Sequence, residues 1–170
     1  MFRKVKIVFL LAFFLCIDIS VKFFTVHHIP LTWWSNASYP YGGIGVFKNF
    51  LGISFSINHI ENTGAAWGFF SSYPFALFCV RISILIILGF YLFFLSRRGK
   101  NIFPYILIFS GAGGNVLDFL FYGKVIDMFH LNFWGYSYPL FNVADVLICL
   151  GIFWLLLFPI FEKKDRVYEN

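Results

Sequence analysis

Charge is scarce in this sequence: 12% of its 170 residues are charged and only eight are acidic, while 60% are hydrophobic and 24% aromatic. That balance excludes a soluble globule, because a chain the size of one domain does not need so much apolar surface. Cysteine is equally sparse. Cys16, Cys79 and Cys149 all fall in apolar segments, which excludes an external disulfide framework and reads them as small apolar packing residues. There is no HExxH or comparable spacing, so three aspartates with His130 make a poor metal site, and no metal or cofactor is expected. Cys149 follows Asp145 with no His near it in sequence, which disfavours a thiol nucleophile.

What the chain has instead is long apolar runs. A run of roughly 20 such residues spans a bilayer, and four are present, at about 5–26, 73–95, 102–122 and 143–161. The expected fold is an all-α membrane protein, one integral domain over 1–170 with outward segments at about 27–72 and 123–142. Of thirteen Lys and Arg, nine lie at the amino end, around Arg97, or in the tail. By the positive-inside rule both termini and the Arg97 hinge are cytoplasmic, and the two long connections face outward. The net charge of +5 then follows from orientation, and no nucleic-acid partner is needed to explain it. The first run looks like a signal peptide, but it carries Asp18 and Lys22 and no small-residue cleavage site, so it reads as a retained helix.

The first outward segment opens with His27, His28 and Pro30 and continues through Trp33, Trp34, Tyr39 and Tyr41, residues suited to the lipid headgroup layer. Asn36-Ala37-Ser38 fits a glycosylation sequon. From Ile53 to Asn58 apolar and polar residues alternate, the period of a strand with one greasy face. A partial alternation from Leu131 to Tyr138 can pair with it, giving a small amphipathic β-sheet on the outer membrane surface. Glu61 to Gly68 is rich in small residues and reads as a turn into the second helix or as a close approach at the membrane edge.

Against this apolar background, Asp118, Asp127 and Asp145 and the amides of Asn115 and Asn142 stand out between Gly111 and Leu150. An ionisable group at the bilayer centre costs at least ~2.5 kcal/mol and usually marks a pathway or reaction site. Asp18 and Lys22, four apart, share a helix face as an internal ion pair or as part of that site. At ~1.5 Å per residue from Lys6, Asp18 lies ~18 Å along its helix, in the outer half of the bilayer. Arg81 lies about two turns below the outer surface, placed to snorkel upward or to answer a carboxylate. Gly111, Gly113 and Gly114 let another helix or a bound chain come close. On a straight helix Asp127 would face away from Asp118, so Gly123 is expected to end the third helix and free Asp127 to turn inward.

Asp127 leaves the third helix and Asp145 enters the fourth at similar depth. Two carboxylates facing one another in a low-dielectric cleft do not both ionise easily. One keeps its proton while the other can take one from water. Such a pair can hydrolyse an amide; intramembrane carboxylates also build proton relays. On residues alone, a peptidase and a small proton-coupled membrane transporter both stand.

The same residues carry a resemblance. Asp18-Ile19-Ser20-Val21-Lys22, Asn62-Thr63-Gly64-Ala65-Ala66-Trp67, Gly114-Asn115-Val116-Leu117-Asp118, Val125-Ile126-Asp127-Met128 and Phe141-Asn142-Val143-Ala144-Asp145 resemble, in order, five motifs of the lipoprotein signal peptidases, or signal peptidase II. The resemblance covers nearly the whole chain. It implies an intramembrane aspartic endopeptidase of the bacterial inner membrane with its site facing the periplasm or outer side. Asp127 and Asp145 would be the catalytic dyad, Asn62, Gly64, Asn115 and Asn142 would bind substrate or orient the dyad, and Asp118, Asp18 and Lys22 would support it. It further implies a prolipoprotein substrate with a diacylglyceryl-modified lipobox Cys, cut just before that Cys, contact with membrane lipid, and inhibition by globomycin-type compounds. One position departs: Phe119 follows Asp118 where the family has Arg, so Asp118 is expected to be neutral or to take Arg81 or Lys124 as partner.

Overall fold

Long uncharged runs satisfy their backbone in lipid only as helices or closed barrels. In the computed structural model, which describes residues 2–31, 42–64, 70–97 and 101–168, these runs are helices. They are α1 (Phe2–His28), α2 (Pro74–Arg97), α3 (Phe103–Tyr122) and α4 (Val143–Tyr168), close to the expected bounds. Three are long and apolar enough to cross a membrane, over Lys4–His28, Pro74–Leu95 and Phe103–Tyr122, and α4 contributes the shorter apolar stretch Val143–Leu157. Local chemistry sets the ends of α3. Pro104 sits in its first turn, where a missing amide hydrogen costs nothing, and Gly123 stops it at φ 71°, its N–H bonding Phe119 O at 2.9 Å.

Helix α3 is the centre of the bundle. A Cβ on Gly111 would lie 2.3 Å from the Ala144 carbonyl oxygen, and one on Gly114 would lie 2.3 Å from Asp18 Oδ2. The two glycines therefore let α4 and α1 close on α3, the close approach expected of small residues in membranes. At the other end of the bundle Leu92, Leu95, Ile102 and Ile106 form an apolar cluster, with Leu10, Leu11 and Phe14 of α1 against it. Helix α2 is the loosest member: 6% of its most apolar window is buried, against 44% for α3. Cys16, Cys79 and Cys149 are exposed on the outer faces of their helices, so they do not pack the core as expected.

The chain between the helices forms an antiparallel sheet, β1 (Ile44–Phe50), β2 (Ile53–Asn62), β3 (Val125–Phe133) and β4 (Tyr136–Ser137), in that spatial order. The strand at Ile53 to Asn58 is present and longer than its alternation suggested. Its partner is in part the expected one, with Phe133, Asn132 and Leu131 opposite Ile53, Ser54 and Phe55. Leu131 to Tyr138 is a hairpin rather than one strand: Asn132 and Phe133 pair with both β2 and β4, and the chain reverses at Trp134 and Gly135. The pairing then continues to the residues around Asp127, with Ile57 opposite Phe129 and Ile60 opposite Asp127. Between those two pairs the register shifts, and both Asn58 and His59 turn inward at this irregularity. Phe47, Phe55, Phe129 and Phe141 form a continuous aromatic ladder across the sheet, with centroids 5.6 to 6.0 Å apart. The headgroup aromatics at 33, 34, 39 and 41, the sequon at 36–38, and positions 65–68 lie outside the described residues.

Candidate active site

Three backbone devices converge on one place. Strand β3, freed by Gly123, carries Asp127 inward. Phe141 is bridged to Phe129 in both directions, N–H to oxygen, at 2.8 and 3.1 Å, so the residue after it, Asn142, lies against β3 at the start of α4. There Asn142 and Asp145 cap the helix reciprocally: Asp145 N–H donates to Asn142 Oδ1 at 3.0 Å and Asn142 N–H to Asp145 Oδ2 at 3.1 Å. The capping geometry that starts α4 is also what aims Asp145.

The amides then fill the space between the carboxylates. Asn142 Nδ2 donates to Asp127 Oδ1 at 2.8 Å and to Asn115 Oδ1 at 3.1 Å. Asn115 Nδ2 donates to Asp145 Oδ1 at 2.9 Å, and Asn62 Nδ2 to Asp127 Oδ2 at 2.9 Å. Each of the four oxygens thus receives one donor and keeps a lone pair for another partner. Asn62 Oδ1 in turn accepts the Gly64 N–H at 2.8 Å, and Arg81 Nη2 donates to the Gly64 carbonyl at 2.9 Å.

Beneath the amides is a buried ionic knot. Lys22 Nζ lies 2.7 Å from Asp18 Oδ2, 2.8 Å from Asp118 Oδ2 and 3.1 Å from Asn115 Oδ1. Asp18 Oδ1 accepts the Ala144 N–H at 2.8 Å, and Asp118 Oδ2 accepts the Ile126 N–H at 3.1 Å. The knot thereby ties α1 and α3 to the first turn of α4 and to the strand that carries Asp127. Asp18 and Lys22 are an internal ion pair, and Lys22 also bonds Asn115. The partner expected for Asp118 is corrected: Lys22 holds it, while Arg81 serves Gly64 and Lys124 pairs with Glu61. Arg81 and Lys124 were the cations expected from sequence, but the buried ammonium of α1 is the one the bundle brings within reach.

A cavity of about 250 Å³ opens above this network, and Asp127, Asp145, Asn62, Gly64, Asn115 and Arg81 all line it. Tyr138, Pro139, Leu140 and Phe141 line it as well. Burial first, and then the charge of Asp145, push the Asp127 carboxyl up to about 7, against the opposing hydrogen bonds from Asn62 and Asn142. His130 is turned away from this cavity: it is buried on β3, and its Nε2 meets Ser137 Oγ at 2.8 Å. Burial holds its imidazole below the usual range.

A family model described as signal peptidase (SPase) II matches residues 10–161. The chain belongs to the signal peptidase II family. Relatives agree along its length. A lipoprotein signal peptidase of Syntrophus aciditrophicus is 31% identical over 96% of this chain and 99% of its own. One of Chlamydia pneumoniae is 43% identical over 66% and 68%. A solved bacterial membrane enzyme, 26% identical, superposes with a TM-score of 0.70 over 95% of this chain and 90% of that one. A signal peptidase II is a protease, which decides between the two readings left open by the residues.

All the site residues expected from sequence meet around this one cavity or in the knot below it. Sequence reasoning missed Tyr138, Pro139 and Leu140 as lining of the cavity, because Pro139 reads there only as a turn. It also missed the strand under Asp127. The run Val125 to Met128 is buried on both faces and so shows no alternation.

Proposed function

We propose that this signal peptidase II removes signal peptides from diacylglyceryl-modified prolipoproteins, cutting just before the lipidated Cys, with Asp127 and Asp145 as its catalytic pair. The observation that carries the reading is the placement of both carboxyls on one cavity, where burial, and then the charge of Asp145, raise the pKa of Asp127 to about 7. Asp127 then holds a proton at and below neutral pH while its partner accepts one from the attacking water. The hydroxide oxygen bonds to the scissile carbonyl carbon, and Asp127 donates its proton to the carbonyl oxygen. Collapse of the tetrahedral species breaks the C–N bond as the carboxyl that took the water proton gives it to the leaving amine, while one hydroxyl of the diol returns its proton to Asp127.

The amides fix carboxyl orientation, so that little reorganisation is needed when charge moves. Asn62 and Asn142 hold Asp127, Asn115 holds Asp145, and Lys22 holds Asn115. In this reading all four helices cross the bacterial inner membrane as a single domain, with both termini cytoplasmic. The sheet lies on the periplasmic or outer surface, and the substrate's acyl chains stay in lipid. Globomycin-type inhibitors would occupy the same cavity. Asp127→Asn and Asp145→Asn test the pair: each is expected to stay folded and to lose cleavage of a lipidated precursor. Normal cleavage by both single variants would overturn it.

A further inference from the structure

The cations of the site are not equally committed. An ammonium has three N–H donors, and those of Lys22 face three oxygens, one each from Asp18, Asp118 and Asn115. Lys124 is paired with Glu61 across the sheet. Arg81 is different. A guanidinium carries five N–H donors in a rigid fork, and among the described residues it makes one hydrogen bond, Nη2 to the Gly64 carbonyl. It forms no ion pair with Asp127 or Asp145, although both line the same cavity.

Its placement is built. Phe78, one turn before Arg81 on the same helix face, stacks on Phe119 of α3 with centroids 4.7 Å apart and planes at 19°. That stack seats the outer part of α2 on α3 beside Asp118, and Arg81 is partly buried where it turns into the cavity. The aromatic ring at 119 thus occupies the position where the resemblance expects a cation, and the cation arrives from the neighbouring helix.

We infer that Arg81 is the substrate-positioning cation of this site: hung from the Gly64 carbonyl, its guanidinium donates its remaining N–H groups to a main-chain carbonyl of the peptide laid over Asp127 and Asp145. The inference rests on the proposed proteolysis and names the group that binds the chain being cut. A planar fork holds two carbonyls in one fixed geometry, which an ammonium on a flexible stem does not reproduce.

The test is steady-state cleavage of a lipidated precursor by Arg81→Gln and Arg81→Lys, together with Arg81→Gln combined with Phe119→Arg. The expected result is a KM raised about 10- to 100-fold in Arg81→Gln with kcat within about threefold, the factor a hydrogen bond to a charged group supplies. Arg81→Lys should fall between Arg81→Gln and the parent enzyme, and Phe119→Arg should recover part of the lost affinity. In an Asp127→Asn background, where turnover is absent, Arg81→Gln should weaken precursor binding by the same factor. An unchanged KM, or a fall in kcat alone with precursor binding intact, overturns the assignment. The dyad is judged separately, on whether Asp127→Asn cleaves, so the two ideas fail by different measurements.

Discussion

The two ends of this helix bundle are joined by different forces. At the cytoplasmic end in the proposed orientation, Leu92, Leu95, Ile102 and Ile106 make an apolar cluster. At the other, Asp18, Lys22, Asp118, Asn115 and Asn142 make a buried, directional network, and Asp18 and Lys22 are 0% and 1% exposed. In water the first end would dominate, but lipid tails are as apolar as leucine, so hydrophobic burial gives helices little reason to associate in a membrane. The polar end therefore fixes which helix meets which. The same network that specifies the packing also orients the proposed catalytic carboxyls, and each can be perturbed only at a cost to the other.

Lys22→Met is the largest test of that difference. It leaves Asp18 and Asp118 facing one another in the interior without their cation, and losing one member of a buried ionic group costs about 3 to 5 kcal/mol. The expected outcome is a strong drop in unfolding midpoint in detergent and loss of cleavage. Replacing the whole knot, with Asp18→Asn and Asp118→Asn added, should recover much of the stability, since no buried charge is then unpaired. If Lys22→Met unfolds like the parent, the polar end is not what holds the helices.

Gly114→Ala comes next. A Cβ there would meet Asp18 Oδ2 at 2.3 Å and Ala144 Cβ at 3.4 Å. Asp18 is held by both Lys22 and the Ala144 N–H, so it cannot swing aside freely. Overpacking of this kind costs about 1 to 3 kcal/mol. Because Asn115 is the next residue, cleavage should suffer along with stability, a pairing that thermal unfolding and activity assays on one preparation would show.

How much of this was legible beforehand follows from where the information sits. The helices were readable because a membrane allows long apolar runs few other forms. Asp127, Asp145, Asn115 and Asn142 were readable because polar groups are rare enough in such runs to be conspicuous. Strand β1 was not, since its register with β2 shifts twice along its length, after Gly45 and after Phe47, which erases the alternation that marks a strand. The partner of Asp118 was not, because spacing speaks for residues on one helix and Lys22 lies on another. Arg81 was visible as a charge in a span, but whether it answers a carboxylate or a backbone carbonyl depends on how α2 sits against α3.

Asn62→Ala moves the argument from packing to titration. Asp127 titrates at about 7, raised by burial and by Asp145 and lowered by its hydrogen bonds from Asn62 and Asn142. As pH rises through that value Asp127 loses its proton, the pair becomes doubly ionised, and the rate should fall. Asn62 Nδ2 favours the ionised form, so removing it lets Asp127 keep its proton to higher pH, and the alkaline limb of the pH–rate profile should move upward. A downward move, or none, would mean that Asp127 is not the carboxyl whose proton the reaction uses.

Ile106→Val probes the apolar end and should have the smallest effect. Ile106 is 1% exposed within the cluster formed by Leu92, Leu95 and Ile102, so the lost methylene leaves a gap that lipid does not reach. The cost of such a truncation is about 0.5 to 1.5 kcal/mol, well under that of Lys22→Met. Cleavage should be unchanged, because among the described residues this cluster holds none of the groups that bond Asp127 or Asp145. If Ile106→Val destabilised the protein as much as Lys22→Met, the apolar cluster would be the organising contact, and the ionic knot would serve the reaction alone.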